Sequence, residues 1–220
     1  MQSGETLSYQ GHQVCLFPMD YIYVTQTSGP SSSSHCCGHP TDYIGTYNYY
    51  PVYAPCDCHL VYSDSVGNTR AYTSDDEVWT PQGLQYVTFS FTHDEIPPGY
   101  TSFSQGELIA HTGRAGQVTG DHTHIDQSDI ANAQLIYYGI TCAYGNPCYA
   151  LDGSQPPEDI FYLSGSEIVA QTLGIDFETW SQPPEPPTPS GKGKYAILLL
   201  AGKRKRRDQN GRIKRHSDLI

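Results

Sequence analysis

The sequence has few basic residues before its C-terminal end. Of its 12 Lys and Arg residues, only Arg70 and Arg114 precede position 190, and they face 21 acidic residues in the same portion. This body therefore carries a net charge of −19, while residues 191–220 carry ten basic and two acidic groups, or +8. A body this acidic repels phosphate backbones, which argues against nucleic acid as its main partner.

Long hydrophobic segments are also missing. The longest apolar run, at 195–201, is far shorter than the roughly 20 residues that a membrane-spanning helix requires. No basic start with a continuous apolar core, as in a secretory signal, precedes Arg70. We therefore expect no membrane span, and delivery by some other route.

Stretches of strong helix formers are scarce, whereas Gly (21), Pro (16) and Tyr (18) are abundant. This composition is typical of a turn-rich, mainly β protein. Alternating segments separated by Gly, Pro and Asp predict antiparallel strands at 20–26, 52–62, 84–92, 106–111 and 122–126. One short C-terminal helix is predicted over Ser164–Leu173, capped by Ser164 or Ser166 and ended by Gly174.

Proline spacing divides the chain. The segment QPPEPPTPS at 182–190 favours an extended linker, so we expect one folded domain at 1–180, with its core at about 30–165, and a linker at 181–191. The basic end, 192–220, is expected to be a disordered tail or a small hairpin.

The seven cysteines leave the pairing and the redox compartment open, since their number is odd. Cys142 and Cys148 flank a Tyr-Gly-Asn-Pro turn, and they either close a small disulfide loop or remain two free thiols.

Histidine chemistry is concentrated in the segment GDHTHID. His122 and His124 are two residues apart in a predicted strand, so both rings face the same side and can address one point. Upstream, His35 and Asp42 (HCCGHPTD) offer imidazole and carboxylate ligands of the kind that zinc accepts. His39, three residues before Asp42, is the alternative to His35.

A third element gives these residues a recognisable order. His93 ends a strand-like segment, and GELIAHTGRAG at 106–116 precedes the strand with the histidine pair. Together with VYAP at 52–55, this order resembles the lysostaphin/LytM-type zinc endopeptidases over residues 30–165. The spacing of His35 and Asp42, with Ser before the His, is similar to the wall-cutting domains of phage tail-tip proteins.

The resemblance implies an antiparallel β-sheet metallopeptidase domain whose loops form a groove. It implies that His35, Asp42 and His124 bind Zn²⁺, and that His93 and His122 form the catalytic pair. Imidazoles suit this role because their ordinary pKa lies near neutrality. Asp126 departs from the family pattern, where Glu is more usual, so support of the site from this position is expected to differ.

Cysteines near His35 permit a competing interpretation. Cys36 or Cys37 would join Cys56 and Cys58 in a structural zinc cluster, although Cys-x-Cys is not the usual zinc-knuckle spacing.

The resemblance further implies an enzyme that cleaves the peptide cross-links of bacterial peptidoglycan. Because no secretory signal is evident, we expect a virion tail component that contacts other tail proteins and opens the host wall during entry. The alternatives are an endolysin released at host lysis and an inactive structural or wall-binding virion module with the same fold.

Overall fold

The computed structural model describes residues 1–32, 34–65, 67–116 and 118–183. Met1–Gln182 form one compact unit. Residues 184–191 of the predicted linker at 181–191, and the whole basic tail at 192–220, lie outside the described residues. No helix among the described residues is long and apolar enough to cross a membrane.

Strands dominate the fold, as the composition predicts. They are β1 (Ser8–Tyr9), β2 (His12–Gln13), β3 (Tyr21–Gln26), β4 (Thr41–Tyr43), β5 (Pro51–Tyr53), β6 (Cys58–Ser63), β7 (Arg70–Ser74), β8 (Val78–Thr80), β9 (Gly83–Gln85), β10 (Thr88–Thr92), β11 (Ser102–Phe103), β12 (Leu108–His111), β13 (Thr123–Ser128), β14 (Leu135–Thr141), β15 (Pro147–Leu151) and β16 (Ile168–Gln171). A 3₁₀ turn, Ala143–Gly145, and one short helix, α1 (Pro157–Ile160), complete the set. The mainly β fold class is confirmed.

An eight-stranded sheet forms the centre of the molecule, in the order β11-β6-β7-β10-β13-β4-β3-β16. Neighbouring strands within this sheet are antiparallel, except that β16 runs parallel to β3. Side chains alternate between the two faces along each strand. In β10, Phe89 and Phe91 enter the core, whereas Ser90 and Thr92 face a groove on the opposite side.

The same alternation continues across the neighbouring strands. Ile125 of β13 and Tyr43 of β4 are fully buried in the core, where Tyr43 contacts Phe17 at a ring-centroid distance of 5.1 Å. His124 and Asp42, their chain neighbours, therefore face the groove. The sheet separates an aromatic core from a polar groove floor.

The helix predicted over Ser164–Leu173 is wrong. Gly165 has a left-handed φ of +90°, which breaks a helix within its first turn. The carboxylate of Glu167 accepts hydrogen bonds from the backbone amides of Ser164 and Gly165, which forms a turn. The following Ile-Val-Ala-Gln segment pairs with the edge of β3 as β16, because β-branched residues suit a strand and β3 offers an unpaired edge.

Candidate metal centre and groove

Two strands of the sheet place the central ligand pair. In the register of β13 and β4, His124 lies directly opposite Asp42, and Thr92 of β10 lies on the other side of His124. Directly opposed residues in antiparallel strands have Cβ atoms roughly 5 Å apart. Strand pairing alone therefore brings an imidazole and a carboxylate from distant parts of the chain into contact.

His35 reaches this pair from the loop between β3 and β4. The Ser-rich sequence before it holds the loop in place, because Ser32 Oγ accepts the backbone N–H of His35 at 2.8 Å and the side chain of Gln26 at 2.8 Å. The His35 side chain is almost fully buried. His39 is exposed, and its backbone bonds to Ser154 and Gln127, so it lies outside the cluster.

One donor atom from each of His35, Asp42 and His124, a group that could hold a metal ion, forms a nearly equilateral triangle with the others. His35 Nε2 lies 3.0 Å from His124 Nδ1, and Asp42 Oδ1 lies 3.2 Å from each of these nitrogens. Tetrahedral zinc with bonds of about 2.0–2.1 Å places its ligand atoms about 3.3 Å apart. The triangle is therefore close to the dimensions of a three-ligand zinc site.

The chemistry of the donor set also fits a cation. Asp42 Oδ1 is buried and has no hydrogen-bond partner. Burial raises the pKa of Asp42, but the adjacent His124 and His35 lower it by more, so the net pKa lies well below its usual range. Burial lowers the pKa of His35; burial also acts to lower the pKa of His124, but the adjacent Asp42 raises it by more, so the net pKa of His124 is raised. An ionised carboxylate and neutral imidazoles are the forms that bind zinc.

Two further histidines stand beside the triangle. His122 Nε2 lies 3.6 Å from Asp42 Oδ2, and the rings of His93 and His122 have centroids 4.5 Å apart. His93 Nδ1 bonds to the Ala115 carbonyl at 2.7 Å, and His122 Nδ1 bonds to the Gly120 carbonyl at 3.1 Å. Since carbonyl oxygens only accept hydrogen bonds, both Nδ1 atoms donate, and each neutral ring keeps its lone pair on Nε2.

Burial lowers the pKa of His93 to about 4. This ring is therefore neutral near pH 7, and its Nε2 is a hydrogen-bond acceptor. The backbone at His93 has a φ of +86°, which is uncommon outside glycine. Strain of this kind persists only where the surroundings hold the residue in place.

Gly113 supplies part of that support. A Cβ atom at Gly113 would lie 2.1 Å from the carbonyl oxygen of His93. Gly113 also exchanges two backbone hydrogen bonds with His122, at 2.9 and 3.2 Å. Sequence reasoning assigned Gly113 only to a family motif, but the structure shows that this glycine lets the two histidine-bearing segments approach each other.

Asp94, which sequence reasoning did not select, organises the turn after His93. It is almost fully buried, and its carboxylate accepts the backbone amides of Ile96 and His111 at 2.8 and 2.9 Å. The bond to His111 links this turn to the end of β12, two residues before Gly113. The signal available in the sequence was an aspartate directly after a strand-terminal histidine.

The five predicted site residues line one groove of about 880 Å³. Thr69 and the polar side chains Ser90 and Thr92 of β10 also line it, and β14 and β15 contribute Leu135, Pro147 and Tyr149. None of the lining residues that the structure describes is Lys or Arg. The described lining therefore offers no Lys or Arg side chain that could bind the free carboxylate of a peptide.

Both interpretations of Cys142 and Cys148 are wrong, because each is bonded to another partner. The disulfides are Cys36–Cys142 and Cys37–Cys148, and they connect the loop after His35 to the hairpin of β14 and β15. Sequence gave no sign that these segments, more than 100 residues apart, are neighbours.

The alternative cysteine cluster is also excluded. Cys56 and Cys58 are free and buried in the main core with Cys15, away from Cys36 and Cys37.

The Asp126 carboxylate bonds to Leu151 and Ser154, and not to a histidine ring of the candidate site. It accepts the backbone amide of Leu151 and the hydroxyl of Ser154, both at 2.6 Å. It therefore fastens the end of β15 to β13, beneath the groove.

No protein-family model matches the chain. Morphogenesis protein 1 of Bacillus phage B103 is 36% identical over 173 residues, which make up 77% of this chain and 45% of that protein. The chain thus spans less than half the length of this curated relative.

Among solved structures, the chain is similar to lysostaphin from Staphylococcus simulans, with 14% identity, coverage of 66% of this chain and 53% of that chain, and a TM-score of 0.42. A zinc-containing peptidase from Vibrio cholerae matches with 15% identity, coverage of 68% and 46%, and a TM-score of 0.37. The M23 metalloprotease pseudoalterin matches with 11% identity, coverage of 62% and 95%, and a TM-score of 0.38.

Proposed function

We propose that this chain is a zinc-dependent endopeptidase that cleaves peptide cross-links of bacterial peptidoglycan. The observation that carries the proposal is the convergence of His35, Asp42 and His124 on one point, with the rings of His93 and His122 beside it. The ordered motifs that resemble lysostaphin/LytM-type enzymes support the same function.

In this proposal His35, Asp42 and His124 hold Zn²⁺. Zinc in such a site acts as a Lewis acid and lowers the pKa of a bound water. Asp42 provides the negative charge of the ligand set, and its low pKa keeps it ionised. Acidification would weaken metal binding, because protons compete for the two imidazoles.

His93 and His122 are the proposed acid/base pair. Their Nδ1 atoms are held by backbone carbonyls, so each Nε2 can accept a proton from an attacking water. A ring protonated at Nε2 then becomes a donor, which can stabilise an oxyanion or protonate the leaving amine. The strained backbone of His93 and its contact with Gly113 hold the ring in position for this transfer.

We further propose that the protein acts in a phage particle, in its tail, during penetration of the host wall. The similarity to a protein named morphogenesis protein 1 from a Bacillus phage supports a virion role. In this proposal the Pro-rich segment 181–191 is a linker between a domain at 1–180 and the basic segment 192–220, which contacts other tail proteins.

The test measures bound zinc and the release of new amino termini from peptidoglycan of Bacillus and of other wall types. We expect one zinc per chain and activity in the intact protein. His122→Ala should keep the metal and lose activity, whereas His124→Ala and His35→Ala should lose both. The matched control, His39→Ala, should keep both because His39 is exposed outside the cluster.

An intact protein that contains zinc but releases no amino termini from any wall type would contradict the enzymatic proposal and favour a structural virion module. Loss of zinc in His39→Ala, with retention in His35→Ala, would overturn the ligand assignment.

A further inference from the structure

The hairpin of β14 and β15 carries an aromatic surface along one side of the groove. Leu135 pairs with Leu151, and Tyr137 pairs with Tyr149, so these side chains share one face of the hairpin. Leu135 and Tyr149 line the groove, as does Pro147. Tyr137 is not among the residues that line the groove, but its ring contacts that of Tyr149, which does line it. We call Tyr137 and Tyr149 the rim tyrosines.

The rim tyrosines are each about half exposed to solvent, although their rings contact each other. Tyr137 is 51% exposed and Tyr149 is 49% exposed, and their ring centroids lie 5.5 Å apart. Aromatic rings are normally buried, where they stabilise the core. A pair of exposed rings that extends the lining of a groove therefore indicates a surface that binds a ligand.

The position of the rim tyrosines is fixed before any ligand arrives. Cys36–Cys142 and Cys37–Cys148 attach the hairpin to the loop of the proposed metal ligands, and Asp126 anchors the amide of Leu151. A preorganised surface loses little conformational entropy when it binds a ligand.

The charge around this surface selects among ligands. The groove contains Asp42 and Asp64, and none of its described lining residues is a cation. The described lining therefore offers no Lys or Arg side chain to pair with phosphate-rich wall polymers or free carboxylates. An uncharged ligand with apolar C–H faces and hydroxyl edges suits tyrosine rings, whose faces are apolar and whose hydroxyls reach water.

We propose that the rim tyrosines bind the glycan strand of peptidoglycan by stacking against its N-acetylated sugar rings. This inference rests on the proposed function, because a cross-link peptide in the groove is attached to its glycan outside the groove. Tyr149 lines the groove that would hold the peptide, and Tyr137 contacts Tyr149. They are binding residues for the polymer, and the hydrolytic histidines act independently of them.

The experiment compares two substrates that share the same cleavable bond. One is intact peptidoglycan, and the other is a soluble cross-linked peptide dimer from which an amidase has removed all glycan. For Tyr137→Ala/Tyr149→Ala we expect a roughly tenfold rise in KM on peptidoglycan, which corresponds to about 1.4 kcal/mol, because both stacking faces are lost. On the glycan-free dimer, KM and kcat should stay within twofold of the intact protein.

Two controls accompany this variant. Tyr137→Phe/Tyr149→Phe keeps the ring faces and should restore the KM on peptidoglycan. Tyr100→Ala removes a tyrosine that is 75% exposed and does not line the groove, and it should leave both substrates unaffected. Titration of the zinc-loaded full chain with an N-acetylglucosamine tetramer should shift the NMR signals of the rim tyrosines.

Equal losses on both substrates would overturn the proposal, because the rings would then contact the peptide. Unchanged kinetics on both substrates, or no response of the rim tyrosines to the tetramer, would also overturn it. If the intact protein cleaves neither substrate, the proposed hydrolysis fails. The tetramer titration then still decides whether the rim tyrosines bind sugar.

Discussion

The two disulfides should stabilise the fold in a strongly interdependent way. They connect residues 106 and 111 positions apart, and their ends are adjacent: Cys36 next to Cys37, and Cys142 near Cys148. Either bridge alone therefore closes the same long loop of the unfolded chain. The second bridge then closes only a small ring of about nine residues, which are Cys36, Cys37 and residues 142–148.

Chain-entropy scaling turns this geometry into magnitudes. Closure of a loop of roughly 100 residues stabilises the folded state by about 4.7 kcal/mol, and closure of a ring of about nine residues contributes about 2.5 kcal/mol. Removal of either bridge alone should lower the free energy of unfolding by about 2.5 kcal/mol, because the other bridge still closes the long loop. Removal of both should cost about 7 kcal/mol, which exceeds the sum of the two single losses by about 2 kcal/mol.

The assay is urea denaturation of four proteins: the intact chain, Cys36→Ser/Cys142→Ser, Cys37→Ser/Cys148→Ser, and the fourfold variant. The free cysteines remain in all four proteins as a constant background. Losses of packing at each pair cancel in the double-mutant cycle, so the cycle isolates the interaction between the bridges. Additive losses, within about 0.5 kcal/mol, would refute the shared-loop reasoning.

Two further predictions concern His93. Gly113→Ala should reduce kcat at least tenfold while zinc remains bound, because the new Cβ would lie 2.1 Å from the His93 carbonyl oxygen. Gly99→Ala is the control, because the space around Gly99 is open. An unchanged kcat in Gly113→Ala would refute the prediction. In zinc-free protein, the contribution of neutral His93 to the free energy of unfolding should be fully present above pH 6.5. It should be lost as pH falls towards 4, by at most about 3 kcal/mol, because His93 binds a proton more tightly in the unfolded chain than in the fold. Urea denaturation should show that the free energy of unfolding of the intact protein, minus that of His93→Gln, falls over this pH range. A constant difference would contradict the lowered pKa of His93.

Much of the sheet was predictable because strand patterns are local. The alternation in Tyr21–Gln26, and the polar-apolar order around His124, follow from the two-residue period of a strand, and the structure has strands at each predicted segment. The segment predicted as one strand at 52–62 is divided into β5 and β6, however, and that at 84–92 into β9 and β10. Tertiary contacts decide such breaks.

The proposed site was accessible from sequence to the extent that its residues form a local pair or a family-like order. His122 and His124 share a face because they are two residues apart in a strand. The choice between His35 and His39 was open, because loop geometry is not periodic. In the structure the Ser32 contact directs His35 to Asp42, while His39 faces solvent.

By itself, the sequence determined the mainly β class, the acidic body and the histidine pair, since composition and strand period are properties of neighbouring residues. Only the tertiary structure decided that β16 is a strand, that Cys36 and Cys37 bond to Cys142 and Cys148, and that the hairpin places Tyr149 along the groove. These features depend on sheet register and on contacts between segments up to about 150 residues apart, which no local pattern encodes.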